Sequence, residues 1–183
     1  MYDASLVGRI AHGDEAAMRA LFVRHQVRVY RFMLRLLGNE ALAEDLTSEV
    51  FLDVWRRAAA RFEGRASVST WLLAIARYKA LACGRRSDTQ LDETALDDLA
   101  DLADGPEEAV QKKDRSATLR QCLAALSVEH REIVDLVYYH EKSVEEAATI
   151  LDIPANTVKT RMFYARKRLA RLLQDADLDR ASI

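Results

Sequence analysis

The sequence predicts an all-α protein of two small helical domains, joined by a flexible acidic linker, with a helix-turn-helix in the C-terminal domain. Three observations carry that expectation. Glycine (6) and proline (2) are scarce in 183 residues of which half are hydrophobic, a composition rich in helix formers and poor in breakers. Apolar positions recur at helical spacing on both sides of one central break. Charge is segregated along the chain beneath a net −2. Residues 1–86 hold 14 Lys+Arg against 9 Asp+Glu, residues 87–113 hold 2 against 9, and residues 114–183 hold 11 against 11. The expected divisions are therefore a basic domain over 1–86, a linker over 87–113 and a charge-balanced domain over 114–183.

In the first domain, Met18, Leu21, Phe22, Val29, Phe32, Met33 and Leu36 set a helix from Ala16 to Leu37. Gly38-Asn39 ends it, in the way that glycine or asparagine commonly follows a last turn. A second helix is expected from about Ala41 to Phe62. A third starts near Ser67, whose hydroxyl can cap it, and runs past Trp71 to about Arg85. The aspartate-rich stretch from Ser87 to Lys113, with the turn signal Gly105-Pro106, reads as a solvated tether. It also reads as an acidic segment able to occupy a basic channel on a partner.

Helices resume at Asp114, one to about Leu126 and another from Val128 to about Tyr139. Ser143 and Glu146 make a capping box. Asp152-Ile153-Pro154 turns a tight corner, and the last helix runs from about Ala155 to Gln174. The stretch from Ser143 to Leu173 is thus a short capped helix, a turn and a longer helix, the layout that places its second helix in a major groove. Small Ala147 suits the helix crossing, and Ile150, Ile153 and Val158 suit the inner faces.

That last helix carries Lys159, Arg161, Arg166, Lys167, Arg168 and Arg171, with no acid between Ala155 and Gln174. A merely solvated helix usually interleaves Glu in i,i+4 pairs; an acid-free stripe suits phosphates. Asn156, Thr157, Lys159 and Thr160 lie at the end that reaches base edges, where Lys donates to guanine and Thr or Phe packs on thymine methyls.

In the first domain, Asp45, Glu49 and Asp53 are spaced by four and form one acidic stripe. Further on, Trp71 and Tyr78 share about one face, with Arg77, Lys79, Arg85 and Arg86 nearby. Aromatics among cations suit unpaired bases and their backbone, though Trp71 reads equally well as core. The histidines, His12, His25, His130 and His140, form no metal or catalytic pattern, and there is no phosphate-binding glycine loop. No enzyme, no metal site, no cofactor and no small-molecule substrate are expected. No run of about eighteen apolar residues occurs, and Met1–Ile10, with Asp3 and Arg9, lacks a signal-peptide pattern. Cys83 and Cys122 stand far apart without a redox motif. A cytoplasmic protein without membrane insertion is expected.

The order AEDLTSEVFLDVW (43–55), F-x-G-x-A-S-x-x-T-W-L-x-x-I-A-R (62–77), an acidic gap, and T-V-K-T-R-M-x-x-A-R-K-R-L (157–169) resembles the extracytoplasmic-function (ECF) group of the sigma-70 family. The resemblance covers about residues 15–173. It implies a sigma factor that directs bacterial core RNA polymerase to promoter DNA under the control of an anti-sigma factor. It implies that Asp45, Ser48, Glu49 and Asp53 meet the polymerase clamp helices. Glu63, Gly64, Arg65, Ala66, Ser67, Ser69, Thr70, Trp71, Arg77, Tyr78 and Lys79 then capture the melted −10 strand. Asn156, Thr157, Lys159, Thr160, Arg161, Phe163, Tyr164, Arg166 and Lys167 read the −35 duplex. The stretch from Leu126 to Tyr139 packs the C-terminal domain and meets the polymerase flap. The sequence departs from the family pattern at Ser48 (often Gln), Tyr78 (often Asn), Cys83-Gly84 (usually helical, often with Asp) and Asp152 (commonly Gly). Asp tolerates the left-handed conformation such a turn requires.

Two promoter elements under two helical turns apart lie roughly 50–60 Å from each other at about 3.4 Å per base pair. Twenty-seven linker residues reach at most about 90 Å, with a coil span near 30 Å. The tether permits simultaneous engagement without fixing the spacing, so the free chain is expected to bind promoters poorly. Two other readings explain less. A helix-turn-helix regulator with a sensory domain leaves the Asp45/Glu49 stripe and the Trp71 segment unused. An adaptor or anti-sigma-like protein without a DNA role leaves the cationic helix unused. Copurification with core polymerase and salt-dependent DNA affinity separate them.

Overall fold

The computed structural model describes residues 2–84, 118–119 and 121–181, all helix, turn or loop without a strand among them. The linker expected over 87–113, together with Arg85 and Arg86, lies outside the described residues.

The N-terminal half opens with a helix not anticipated from the sequence, α1 (Asp3–Ile10), which buries Leu6, Val7 and Ile10. Asp3 ties it to the next helix by an ion pair to Arg24 (2.7 Å) and a contact to His25 (2.8 Å). The long α2 (Glu15–Leu37) starts at Asp14, whose carboxylate accepts from the Ala17 amide, and stops at Gly38 with φ 65°, a conformation cheap only without a Cβ. Asn39 caps α3 (Glu40–Asp53) by accepting from the Leu42 amide. The helix expected to reach Phe62 does continue, but as a π-helical turn (Val54–Ala58) and a 3₁₀ turn (Ala59–Arg61). The helix expected from Ser67 is α4 (Val68–Gly84); the Thr70 amide donates to the Ser67 hydroxyl at 3.2 Å. Helix α2 is the spine, with α1, α3 and α4 packed around it.

In the C-terminal half, Ser127 caps α5 (Val128–Val134), which runs on as a second π-helical turn (Asp135–Tyr139). The capping box is present: Ser143 accepts from the Glu146 amide and Glu146 accepts from the Ser143 amide at the start of α6 (Val144–Leu151). Asp152 takes the left-handed conformation, φ 53°. The last helix, α7 (Ala155–Ala181), overruns the expected Gln174.

The apolar core does not divide between the halves. Phe32, Leu72, Leu73 and Ala76 from the first and Ile133, Leu136, Ala147 and Ile150 from the second belong to one buried cluster. A smaller cluster joins Leu123, Leu126, Val134 and Ala165. Each fully buried Leu, Ile or Phe contributes roughly 1.5–3 kcal/mol relative to an exposed one. The two halves, expected as a mobile pair, lie against each other with α4 on α6.

Candidate nucleic-acid interface

The C-terminal helix pair is held by its inner face. Ala147 and Val158 are fully buried where α6 and α7 cross, flanked by Ile150, Leu151 and Met162. That packing turns the opposite side of α7 to solvent. Asn156, Lys159, Thr160, Phe163, Tyr164, Arg166 and Lys167 are exposed, and Thr157 and Arg161 are half-buried. Phe163 and Tyr164 are 61% and 54% exposed and meet edge to face at 5.4 Å. The Arg166 guanidinium lies 5.8 Å over the Tyr138 ring. The Thr160 hydroxyl donates back to the Asn156 carbonyl at 3.0 Å. Among the described residues no salt bridge neutralises Lys159, Arg161, Arg166, Lys167, Arg168 or Arg171. A groove-sized helix whose cations stand outside any salt bridge among the described residues, with two surface aromatics, is a duplex-binding geometry.

On α3, Asp45, Ser48 and Glu49 are exposed and Asp53 is half-buried, above a face that buries Leu46, Val50 and Phe51. Ser48 donates to its own helix, at the Glu44 carbonyl (3.1 Å). Lys79 of α4 reaches across to Glu49 (3.1 Å) and Asp53 (2.8 Å). Its hydrogen bond, with the positive charges of Lys79 and Arg57, holds the Asp53 carboxyl below its ordinary value. Burial alone pushes the Lys79 ammonium down, but its bonds to Asp53 and Glu49 outweigh that and leave it above its ordinary value. Lys79, grouped from sequence with the strand-capturing residues, is thus built into the acidic stripe.

The remaining residues of the expected −10 set form the loop before α4 and its first turns. Glu63 and Arg65 pair at 2.7 Å on the surface, and Gly64 between them has φ 71°. Ala66 is half-buried and Tyr78 is exposed. Trp71 is half-buried against Phe62, centroids 4.9 Å apart, so it packs on the core while keeping one edge out.

The C-terminal half engages Ser67, Ser69, Thr70 and Arg77, of which Ser67 is exposed, Ser69 and Arg77 are half-buried and Thr70 is buried. Ser67 and Thr70 donate to the Glu146 carboxylate at 3.0 and 2.5 Å. Ser69 accepts from Arg28 at 3.3 Å and also from the Lys142 ammonium. Arg77 makes a forked pair with Glu132, at 3.0 and 3.4 Å. A further seam joins Arg35 of α2 to Asp135, to the Tyr139 ring at 4.8 Å and to His140 at 3.0 Å. The π-helical turn positions Asp135, whose carbonyl accepts from the His140 amide five residues on. The sequence reading assigned Glu146 a capping role only, gave Lys142, Arg35 and His140 none, and took Glu132 and Asp135 only as part of the stretch from Leu126 to Tyr139. The available signal was weak: charged residues interrupting the apolar stretch from Val128 to Tyr139.

Among the described residues no helix is long and apolar enough to cross a membrane, and no group of His, Cys, Asp and Glu is placed to hold a metal ion. Cys83 is half-buried and Cys122 is buried.

Comparison with known proteins adds to this geometry. Residues 21–88 match the family model of Sigma-70 region 2, and residues 116–169 match that of Sigma-70, region 4. The ECF RNA polymerase sigma factor SigL of Mycobacterium tuberculosis is 32% identical over 176 residues, covering 95% of this chain and 98% of that protein. The RNA polymerase sigma-H factor of Pseudomonas aeruginosa is 30% identical over 183 residues, 94% of each chain. Two solved structures share the fold. CnrH, in complex with the cytosolic domain of CnrY, superposes with a TM-score of 0.69 at 24% identity over 96% of this chain and 98% of its own. RpoE of Bartonella quintana, in complex with the anti-sigma factor NepR, gives 0.63 at 23% identity over 85% and 96%.

Proposed function

The chain belongs to the ECF RNA polymerase sigma factors, and from that membership and the geometry of its faces we propose how it divides the work of initiation. It is a sigma factor, a protein of transcription initiation that acts with RNA polymerase on promoter DNA. Residues 1–86 serve as the module for polymerase and the −10 element, 87–113 as the connecting linker, and 114–183 as the −35 module. The single observation that carries this reading is the exposed cationic face of α7, presented by a capped helix-turn-helix behind an acid-striped first module.

Asp45, Ser48, Glu49 and Asp53 offer polymerase a row of acceptors set by Lys79. Glu63 to Ser67, with Ser69, Thr70, Trp71, Arg77 and Tyr78, form the surface for unpaired −10 bases. Asn156, Thr157, Lys159 and Thr160 meet base edges of the −35 duplex. Arg161, Arg166 and Lys167 meet its phosphates, and Phe163 and Tyr164 add apolar contact. Strand opening here draws on binding energy, so the protein acts without covalent catalysis, in the cytoplasm where polymerase is. Of the two structures of the same fold, CnrH was solved with the cytosolic domain of CnrY and the sigma factor RpoE with the anti-sigma factor NepR. Control by an anti-sigma partner is proposed for this chain on that ground.

The test is transcription in vitro with core polymerase on a library of random promoters. A start site selected only when this protein is added, with two conserved elements upstream, is the expected result. No selection refutes the assignment of faces.

A further inference from the structure

A cavity of about 80 Å³ lies between α2 and α5, away from the cationic face of α7 and from the acidic stripe of α3. Phe32 and Leu36 form one wall, Leu123 and Val128 the other. Phe32 and Leu123 are buried and set the floor; Val128 and Tyr139 are exposed and mark the mouth. An apolar cavity of about 150 Å³ takes benzene, so this one takes about three carbons. It suits the short alkyl end of a molecule whose other end stays at the mouth. Ionised side chains stand beside the apolar walls. Arg35 is answered by Asp135, and Glu132 by Arg77. Arg131 is the exception. Its terminal nitrogen donates to the Ala124 and Leu126 carbonyls at 3.1 and 3.3 Å, which fixes the side chain without neutralising it. Among the described residues no salt bridge includes it. Its Nε is buried and has no hydrogen-bond partner. A buried donor without an acceptor is costly, and an acceptor supplied from outside removes that cost.

We propose that this cavity is a binding site for a small monocarboxylate with a short alkyl chain. The alkyl end fills the space between Phe32 and Leu123 and leaves water. The carboxylate accepts from the Arg131 Nε, a charge-assisted bond that is stronger than one to a neutral acceptor. Arg131 supplies the charge that the chain itself does not answer, so an anion is selected over an amine or an alcohol of the same shape. Size is selected by the apolar end, which has no room for a ring. The site takes one wall from α2 and the other from the C-terminal half, so its occupant stabilises the packing of the two by linkage. The inference is independent of which residues read promoter DNA.

The test is a titration of the full chain with butyrate, followed by two-dimensional NMR, with the Arg131 Nε–H among the signals read. For so few atoms the expected dissociation constant is on the order of millimolar. Saturable shifts at Leu36, Val128 and Arg131 are expected, with a rise in the urea midpoint. Acetate, shorter by two methylenes, should bind about tenfold more weakly. Butylamine, a cation of similar length, should not saturate. Arg131→Gln removes the charge and Nε together and should weaken butyrate binding about tenfold or more. Leu36→Phe fills the apolar end and should abolish saturation; Leu36 is half-buried, and circular dichroism checks that the fold is kept. Should either variant fail to fold, the ligand series on the native chain decides alone. Acetate binding as tightly as butyrate reports a surface contact with an anion and overturns the proposal. Butylamine matching butyrate, or butyrate binding undiminished in a folded Leu36→Phe or Arg131→Gln chain, overturns it too. So does the absence of saturation with butyrate, which leaves the cavity to the side chain of a protein partner.

Discussion

The helix assigned to duplex DNA and the surface assigned to the melted strand are built from the same kinds of residue, yet one stands bare and the other is covered. Along α7 the cations Lys159, Arg166 and Lys167 are exposed. On α4, Arg77 is paired with Glu132, and Thr70 is buried under Glu146. Residue type alone therefore does not say whether a donor is available. What decides it is whether a carboxylate from elsewhere in the chain has reached it first. The sharpest ways to break this comparison disturb one face and ask whether the other notices.

The largest effect is expected from the stripe that neither DNA face contains. Asp45→Lys with Glu49→Lys reverses the charge presented to polymerase. Charges lost from a desolvated interface typically cost 2–5 kcal/mol, so promoter-specific initiation should fall by roughly a hundredfold or more. Helical content by circular dichroism should stay, because Asp45 and Glu49 are exposed. Glu49→Lys also turns Lys79 away, so Asp45→Lys alone serves as the control. Initiation at native levels with both charges reversed would remove this stripe from the polymerase interface.

Next in size is Lys159→Ala. An exposed lysine at the base-reading end of α7 should contribute about 1–3 kcal/mol to −35 recognition. Initiation from promoters with the native −35 element should drop about tenfold or more, while affinity for a single-stranded oligonucleotide of the selected −10 element stays at its native value. A change in that affinity would mean that the two faces are coupled. Arg168→Ala is the milder companion. It should weaken duplex binding uniformly across sequences and lower the salt slope by about one. In the free chain that duplex binding should already be measurable, because the cations of α7 are exposed.

Much of the open face was legible in the sequence, and the reasons are local. Ser143 and Glu146 stand three apart, the spacing of a capping box; Asp152 occupies the position where the turn between the two helices needs a left-handed residue; no acid interrupts the cationic stripe between Ala155 and Gln174. The first two signals lie within one helical turn, and the third, which holds only from Ala155 to Gln174, lies within one helix. The covered face was not legible, because Glu146 meets Thr70 from 76 residues away and Glu132 meets Arg77 from 55. No periodicity encodes such a meeting, and the cap already accounted for Glu146. Lys79 was grouped with its neighbours Arg77 and Tyr78, but a helix sends neighbouring residues to different sides, and Lys79 points to α3. Helix α1 went unread because eight residues hold only three buried positions, too few to establish a period. The π-helical turns at Val54–Ala58 and Asp135–Tyr139 leave the apolar spacing almost unchanged and so have no signature in it.

The smallest effect expected concerns the ionic link between α3 and α4. Asp53 titrates below its ordinary 3.8 in the folded chain. The stability it lends is therefore complete above about pH 4 and is lost as pH falls through the depressed value. Lys79 titrates above its ordinary 10.5, so its contribution is complete below that and is lost as pH rises through the raised value. Between these limits the link is constant. Lys79→Met, which keeps the aliphatic stem, should cost on the order of 1 kcal/mol at neutral pH, as expected for a partly exposed ion pair. It should also flatten both flanks of a plot of urea midpoint against pH. The contacts that cover Thr70 and Arg77 use other residues, so affinity for the −10 oligonucleotide should not change. If Lys79→Met changes it instead, the acidic stripe and the covered face are coupled through α4.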